Sequence, residues 1–217
     1  MNFLIFVIVL LIILITFFSF NKRFKGIRKK YTNGIDFYFT LIATIIGVLL
    51  AFYFSDLAER KKDKQYVIDM LEISKSNVDQ NILENKNLIN LYKRVELDSL
   101  NVAINALNYP VFTEQIIFAD PKINQYISRT TYKSLLSRFE SSKKMRNLFH
   151  TYSFNQSSIV AEQYNLTLTK ISTDLNLEIQ LQKEILDEIE VVKKRDSLHI
   201  VFRNRIEEIN TNPIINK

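Results

Sequence analysis

The 217-residue chain has no cysteine and no tryptophan, and only three glycines, three prolines and two histidines. The lack of cysteine excludes disulfides, thiolate metal sites and thiol nucleophiles. All three glycines, Gly26, Gly34 and Gly47, precede Asp56. The region beyond is therefore poorly suited to tight β-hairpins, which call for glycine at positive φ. The same absence removes the backbone cradles GxGxxG and GxxxxGK[ST], so no nucleotide cofactor is expected. His150 and His199 stand in no metal-ligand spacing, and no metal site is expected.

Other candidates for chemistry have simpler readings. Ser141 to Lys144 contains an SxxK, but its companion motifs are missing, and a solvated helix start accounts for it. Asp187, Glu188 and Glu190 stand near Lys183 and Lys194, which is the pattern of a solvated charged helix face. Lys193, Lys194 and Arg195 form a short basic run, too small for a nucleic-acid groove. No catalytic residue is assigned, and the chain is expected to be non-enzymatic.

What the chain has in abundance is apolar sequence. Residues 3–20 and 37–55 carry no charge. At ~1.5 Å per helical residue each covers ~27 Å or more, close to the ~30 Å hydrocarbon core of a bilayer. The second run has Phe37, Tyr38 and Phe39 at one end and Phe52, Tyr53 and Phe54 at the other, in the manner of interfacial aromatic belts. The first is expected to be retained rather than cleaved: no cation precedes it and Asn21-Lys22-Arg23 is a poor cleavage site. Within the second run Thr40, Ala43, Thr44, Gly47 and Ala51 form a small-residue stripe suited to close helix packing.

The formal net charge of +6 is unevenly placed. From Asp56 to Lys217 there are 23 Lys plus Arg against 22 Asp plus Glu. The excess sits between the apolar runs, in Lys22, Arg23, Lys25, Arg28, Lys29 and Lys30. This basic loop, residues 21–34, is expected at the cytoplasmic membrane surface in contact with lipid, which puts the large C-terminal region outside the cytoplasm. A nucleic-acid partner is not supported.

Beyond the second run, Val67, Leu71, Val78, Ile82, Ile89 and Tyr92 recur at helical spacing, with Asn85 interrupting the stripe. A helix is expected from Phe37 to near Tyr92, with Arg94 to Leu107 as a second helix or a continuation. Pro110 and Asp120-Pro121 mark residues 109–130 as an irregular segment with short helical turns. Thr130 or Thr131 is expected to cap a helix to Phe139, and Ser141 or Ser142 another through Phe149. Tyr164, Leu168, Ile171, Leu175, Ile179, Leu186 and Ile189 mark one face of a last long region, and Leu198, Phe202, Ile206 and Ile209 another. The expected fold is all-α: two transmembrane helices in residues 1–55, then an antiparallel helical bundle in 56–217 entered directly from the second span.

The stretch IGVLLAFYFSDLAERKKDKQYVIDMLEI, followed by TTYKSLLSRFESSKKMRNLFHTY, resembles a loosely defined group of uncharacterised bacterial membrane-anchored proteins with helical domains. In that group a basic segment precedes a spanning helix that runs on into a charged helix, and a later helix carries a pattern like Tyr132-Lys133-Ser134-Leu135. The resemblance covers roughly residues 22–152, implies a cytoplasmic basic segment, and carries over no catalytic residue. The expected function is that of a two-pass bacterial inner-membrane protein whose bundle makes protein contacts, with itself or with a partner, as scaffold, sensor or envelope-complex subunit. The alternative is an oligomeric effector or pore-forming subunit, as in a bacterial defence system, regulated by the bundle.

Overall fold

A computed structural model describes residues 32–92, 107–148 and 154–211, together with Leu10, Ile13 and Phe17. Among the described residues six helices are bounded: α1 Thr32–Tyr92, α2 Val111–Ala119, α3 Pro121–Tyr126, α4 Arg129–Leu148, α5 Phe154–Gln182 and α6 Glu188–Thr211. No strand occurs among the described residues. The chain divides into two compact units, Met1–Lys62 and Asp63–Lys217.

In the first unit, one helix is long and apolar enough to cross a membrane, and none of its most apolar 18-residue window is buried. Phe37, Leu41, Ile45, Val48 and Phe52 are all exposed. The rings of Phe37 and Tyr38 meet edge to face at 5.8 Å, and those of Tyr53 and Phe54 at 5.7 Å. Just past the apolar run, Arg60 pairs with Asp56 one turn back at 3.1 Å. Of the two expected spans, one is found among the described residues. The run at 3–20 lies outside the described residues apart from Leu10, Ile13 and Phe17, which are helical and exposed. Residues 32–34, expected in the connector, are already the first turn of α1.

In the second unit α1 buries Val67, Ile68, Leu71, Ser74, Val78, Asn81, Asn85 and Ile89, and from Val67 and Leu71 on the steps are of three or four residues, which keeps one stripe facing inward. The expected stripe omits the polar members. Asn85 does more than interrupt it: fully buried, it donates to the Asn108 carbonyl at 3.2 Å and accepts from the Asn108 N–H at 3.0 Å. It thus clamps the backbone just before Pro110, and Tyr164 donates to the same carbonyl at 2.9 Å. Residues 94–106 lie outside the described residues, and so does the helix expected there.

The segment expected to be irregular is two short helices with defined caps. Pro110 opens α2, and Asp120 both ends it and starts α3, accepting from the Lys122 N–H at 2.8 Å with Pro121 in the first helical turn. A second correction concerns α4, which is one helix rather than two. Its cap is Ser128, whose Oγ accepts from the Thr131 N–H at 3.3 Å, while Thr131 is buried in the first turn. Ser141 and Ser142 start nothing; their hydroxyls donate back to the carbonyls of Ser137 and Phe139, both at 2.8 Å, which lets a serine sit inside a helix.

A third correction is the break in the last helical region, at Lys183–Asp187, where no glycine or proline signals it. Glu184 takes φ 59, the left-handed conformation. The Ile185 N–H reaches back to the Gln180 carbonyl at 2.9 Å and the Glu184 N–H to that of Leu181 at 3.0 Å, the bond pair of a Schellman C-cap. Asp187 then caps α6. It accepts from the Glu190 N–H at 2.8 Å while Glu190 accepts from the Asp187 N–H at 3.0 Å, a reciprocal capping box. The acidic cluster of this stretch is therefore a helix start rather than an undifferentiated charged face.

The core is assembled around α5, buried on more than one side. Tyr164, Leu168, Ile171 and Leu175 are inaccessible and join Val67, Leu71 and Val78 of α1, Ile117 of α2, Ile123 of α3, and Leu135 and Phe139 of α4. Each fully buried aliphatic side chain contributes ~1.5–3 kcal/mol. Phe118, Tyr132 and Phe139 add edge-to-face ring contacts at 5.3 and 5.6 Å.

Candidate functional site

The most concentrated chemistry is a buried ionic network where α4, α5 and α6 meet. Asp174, on the face of α5 beside Ile171 and Leu175, has a side chain 2 % exposed. Its Oδ2 receives Arg138 Nε of α4 at 2.7 Å and the Ser134 hydroxyl at 2.6 Å. Its Oδ1 receives Arg195 Nε of α6 at 3.2 Å. One carboxylate thus joins two guanidinium groups. Burial, with Arg195 adding repulsion, holds the Arg138 guanidinium below its usual pKa, and Asp174 opposes that shift.

Arg195 continues the network, its Nη2 donating to Thr131 Oγ1 at 2.7 Å. The Thr131 and Ser128 hydroxyls lie 2.8 Å apart, and Ser128 Oγ is 2.7 Å from Glu178 Oε2. Ser128 has a single hydroxyl proton, which the carboxylate claims, so Thr131 supplies the proton between the two hydroxyls. Glu178, inaccessible in the core of α5, also accepts from the Ser128 N–H at 2.9 Å and from Gln182 Nε2 at 2.8 Å. Three donors on one carboxylate are what burial of that charge requires. The N-terminus of α4 is thereby tied to the C-terminal half of α5.

A second polar cluster surrounds Asp120. Burial pushes its carboxyl pKa upward, but the bonds from the Tyr66 hydroxyl at 2.7 Å and from the N–H groups of Ile123 and Lys122, with the Lys122 charge, hold it below the usual value. The same bond raises the Tyr66 phenol. Around the core, burial drives the Tyr109 and Tyr164 phenols far up, so both stay protonated.

The small-residue stripe of Thr40, Ala43, Thr44, Gly47 and Ala51 is exposed along α1. The Thr44 hydroxyl donates to the Thr40 carbonyl at 2.8 Å, and a side chain at Gly47 would meet no atom within 4 Å. Lys22, Arg23, Lys25, Arg28, Lys29 and Lys30 lie outside the described residues, as does His150. His199 is exposed on α6, and among the described residues no group of three or more His, Asp or Glu is placed to hold a metal ion. Of the basic run at 193–195, Lys193 and Lys194 are exposed while Arg195 is a buried member of the network. Arg138, Asp174, Glu178 and Arg195 are absent from the residues that the sequence singles out as sites. No protein-family model, no curated protein and no solved structure matches the chain.

Proposed function

We propose that this chain is an integral protein of a bacterial inner membrane that presents a helical domain for protein contacts outside the cytoplasm, as scaffold, sensor or envelope-complex subunit. The observation that carries the reading is the apolar window of α1, none of which is buried, in a helix that continues into the second unit. A core helix of a soluble protein buries most of such a window, whereas a spanning helix gives it to lipid. Support for protein contact comes from α6, where Ile189, Ile200 and Val201 are each at least 60 % exposed. The ionic network suits a domain whose helices must hold fixed positions under a partner's load. The pore-forming reading gains nothing from Thr40 and Thr44, since the Thr44 hydroxyl is satisfied by its own helix.

The test uses the full chain. Membrane fractions washed with carbonate should retain it, and replacement of Ile45 and Val48 by Lys should release it, because each central Lys costs ~2.5–3.5 kcal/mol in a span. Ser197→Cys, on the exposed side of α6 in a chain without other cysteines, should react with an impermeant thiol reagent in intact cells. Labelling only after lysis would place the domain in the cytoplasm and refute that part of the reading.

A further inference from the structure

The turn between α5 and α6 turns apolar side chains outward. Ile185 is 64 % exposed, and Ile189, in the first turn of α6, is 66 % exposed. In a Schellman cap the residue after the left-handed one commonly packs on an apolar side chain a turn earlier in its own helix. Here the residue whose carbonyl receives the Ile185 N–H is Gln180, and Ile185 stays uncovered.

Contacts with α1 say which end of the second unit this turn occupies. Ser172 of α5 donates to Asp79, Lys183 pairs with Glu72, and Glu184 pairs with Lys64, so following α5 forward runs back along α1 toward its apolar run. The second unit begins at Asp63, so the turn lies where α1 enters it. Lys64 follows Ser55, the last residue of the uncharged run, in the same helix, and at ~1.5 Å per residue the two are ~13 Å apart along the axis. Tilt of α1 only lowers that height above the hydrocarbon core, and the headgroup layer itself takes up ~5–8 Å of it. The turn is therefore tethered within side-chain reach of the lipid surface.

The local charge selects the kind of lipid. The turn and the start of α6 carry Glu184, Asp187, Glu188 and Glu190, and only Glu184 is in an ion pair among the described residues. Anionic headgroups are repelled there, so attraction must come from apolar area and the surface that fits is a neutral one.

We propose that the α5–α6 turn inserts Ile185 and Ile189 into the boundary between headgroups and acyl chains of the bilayer that α1 crosses, at neutral lipids. The inference rests on the membrane reading above. It gives the second unit a second point of attachment to the bilayer. Ile200 and Val201, more than ~15 Å further along α6, are left for a protein partner.

The chain has no tryptophan, so a single one reports its own surroundings. The full chain carrying Ile185→Trp, Ile189→Trp, Ile200→Trp or Phe52→Trp is reconstituted into vesicles of phosphatidylcholine brominated near the carbonyl end of its acyl chains, which quenches tryptophan at contact range. Phe52→Trp should be quenched as part of the span. Ile185→Trp and Ile189→Trp should lose about half of their emission or more, as an insertion of ~5–10 Å requires, and less in brominated phosphatidylglycerol. Ile200→Trp, matched in residue type and 61 % exposed, should keep nearly all of its emission. If Phe52→Trp is quenched while Ile185→Trp and Ile189→Trp lose no more than Ile200→Trp, this inference falls and the span stands. If Phe52→Trp is not quenched, the membrane reading falls and takes the inference with it. Blue-shifted emission from Ile185→Trp without quenching would assign the turn to a second copy of the chain and overturn the lipid contact.

Discussion

Asp174→Asn keeps the shape of the side chain and removes the one negative charge that Arg138, Arg195 and Ser134 share. Both guanidinium groups are nearly buried, with side chains 14 % and 10 % exposed, so neither recovers much hydration when its partner is neutralised. Removing one member of a buried ion pair costs ~3–5 kcal/mol, chiefly because an uncompensated charge stays inside. For a unit of this size ~1 kcal/mol moves the melting midpoint by ~2–4 °C, so the expected drop is about 6–20 °C. The assay is a thermal melt of the full chain in detergent, followed by far-ultraviolet circular dichroism. Lys183→Gln is the control: its pair with Glu72 is about half exposed on both sides, and such pairs contribute ~0–1 kcal/mol. A triple variant with Leu at Asp174 and Met at Arg138 and Arg195 should recover most of the loss, since well-packed apolar replacements of buried ion pairs are often neutral or better. If Asp174→Asn melts as the control does, the network is not holding the three helices and the reasoning fails.

Two further predictions follow from single turns. Glu184→Gly relieves a left-handed residue at the α5 C-cap and, despite losing the exposed contact to Lys64, should raise the midpoint by roughly 2–4 °C; a fall would show that the Lys64 contact outweighs the backbone. Asp120→Ala removes the α3 cap and the Tyr66 bond and should cost ~0.5–2 kcal/mol at neutral pH. Because the folded carboxyl is held below its unfolded value near ~3.9, its contribution is complete above that value and is lost as pH falls through the folded value. The gap between wild type and variant should therefore narrow below about pH 4, and a gap independent of pH would refute the assignment.

The helical class and the long α1 are legible because periodicity reports burial directly: Val67, Leu71, Val78 and Ile89 are predicted and found on the inner face. Caps are legible only when the residue type is unambiguous. Asp120-Pro121 announces α3, yet the sequence suggests only a loop with short helical turns, because a six-residue helix carries too little pattern to be bounded. The sequence reading names Thr130 or Thr131 as the cap, whereas Ser128, equally suited by residue type, takes that role while Thr131 turns inward to Arg195. The break at Glu184 is hidden for the opposite reason, a glycine position being filled by a residue that pays backbone strain.

The network left one trace in the sequence, and it lies in the stripes themselves. Asp174 stands three residues after Ile171 and one before Leu175, on a helix whose neighbouring positions are buried. A carboxylate there cannot be solvated, so a facing helix must supply a cation. The stripe of α1 in the second unit carries none, its polar members being Ser74, Asn81 and Asn85. The stripe of α4 runs through Thr131, Leu135, Phe139 and Ser142 with Arg138 at its edge, and that of α6 runs from Val191 through Arg195 to Leu198 and Phe202. Those two cations are the ones that Asp174 meets, one on α4 and one on α6. The stripe seen in the structure thus accounts for which charges are inside, although the sequence pattern alone places Arg195 in a short basic run. What it cannot supply is how many donors each group keeps in reserve, as Arg195 shows with a buried Nη1 that meets no acceptor.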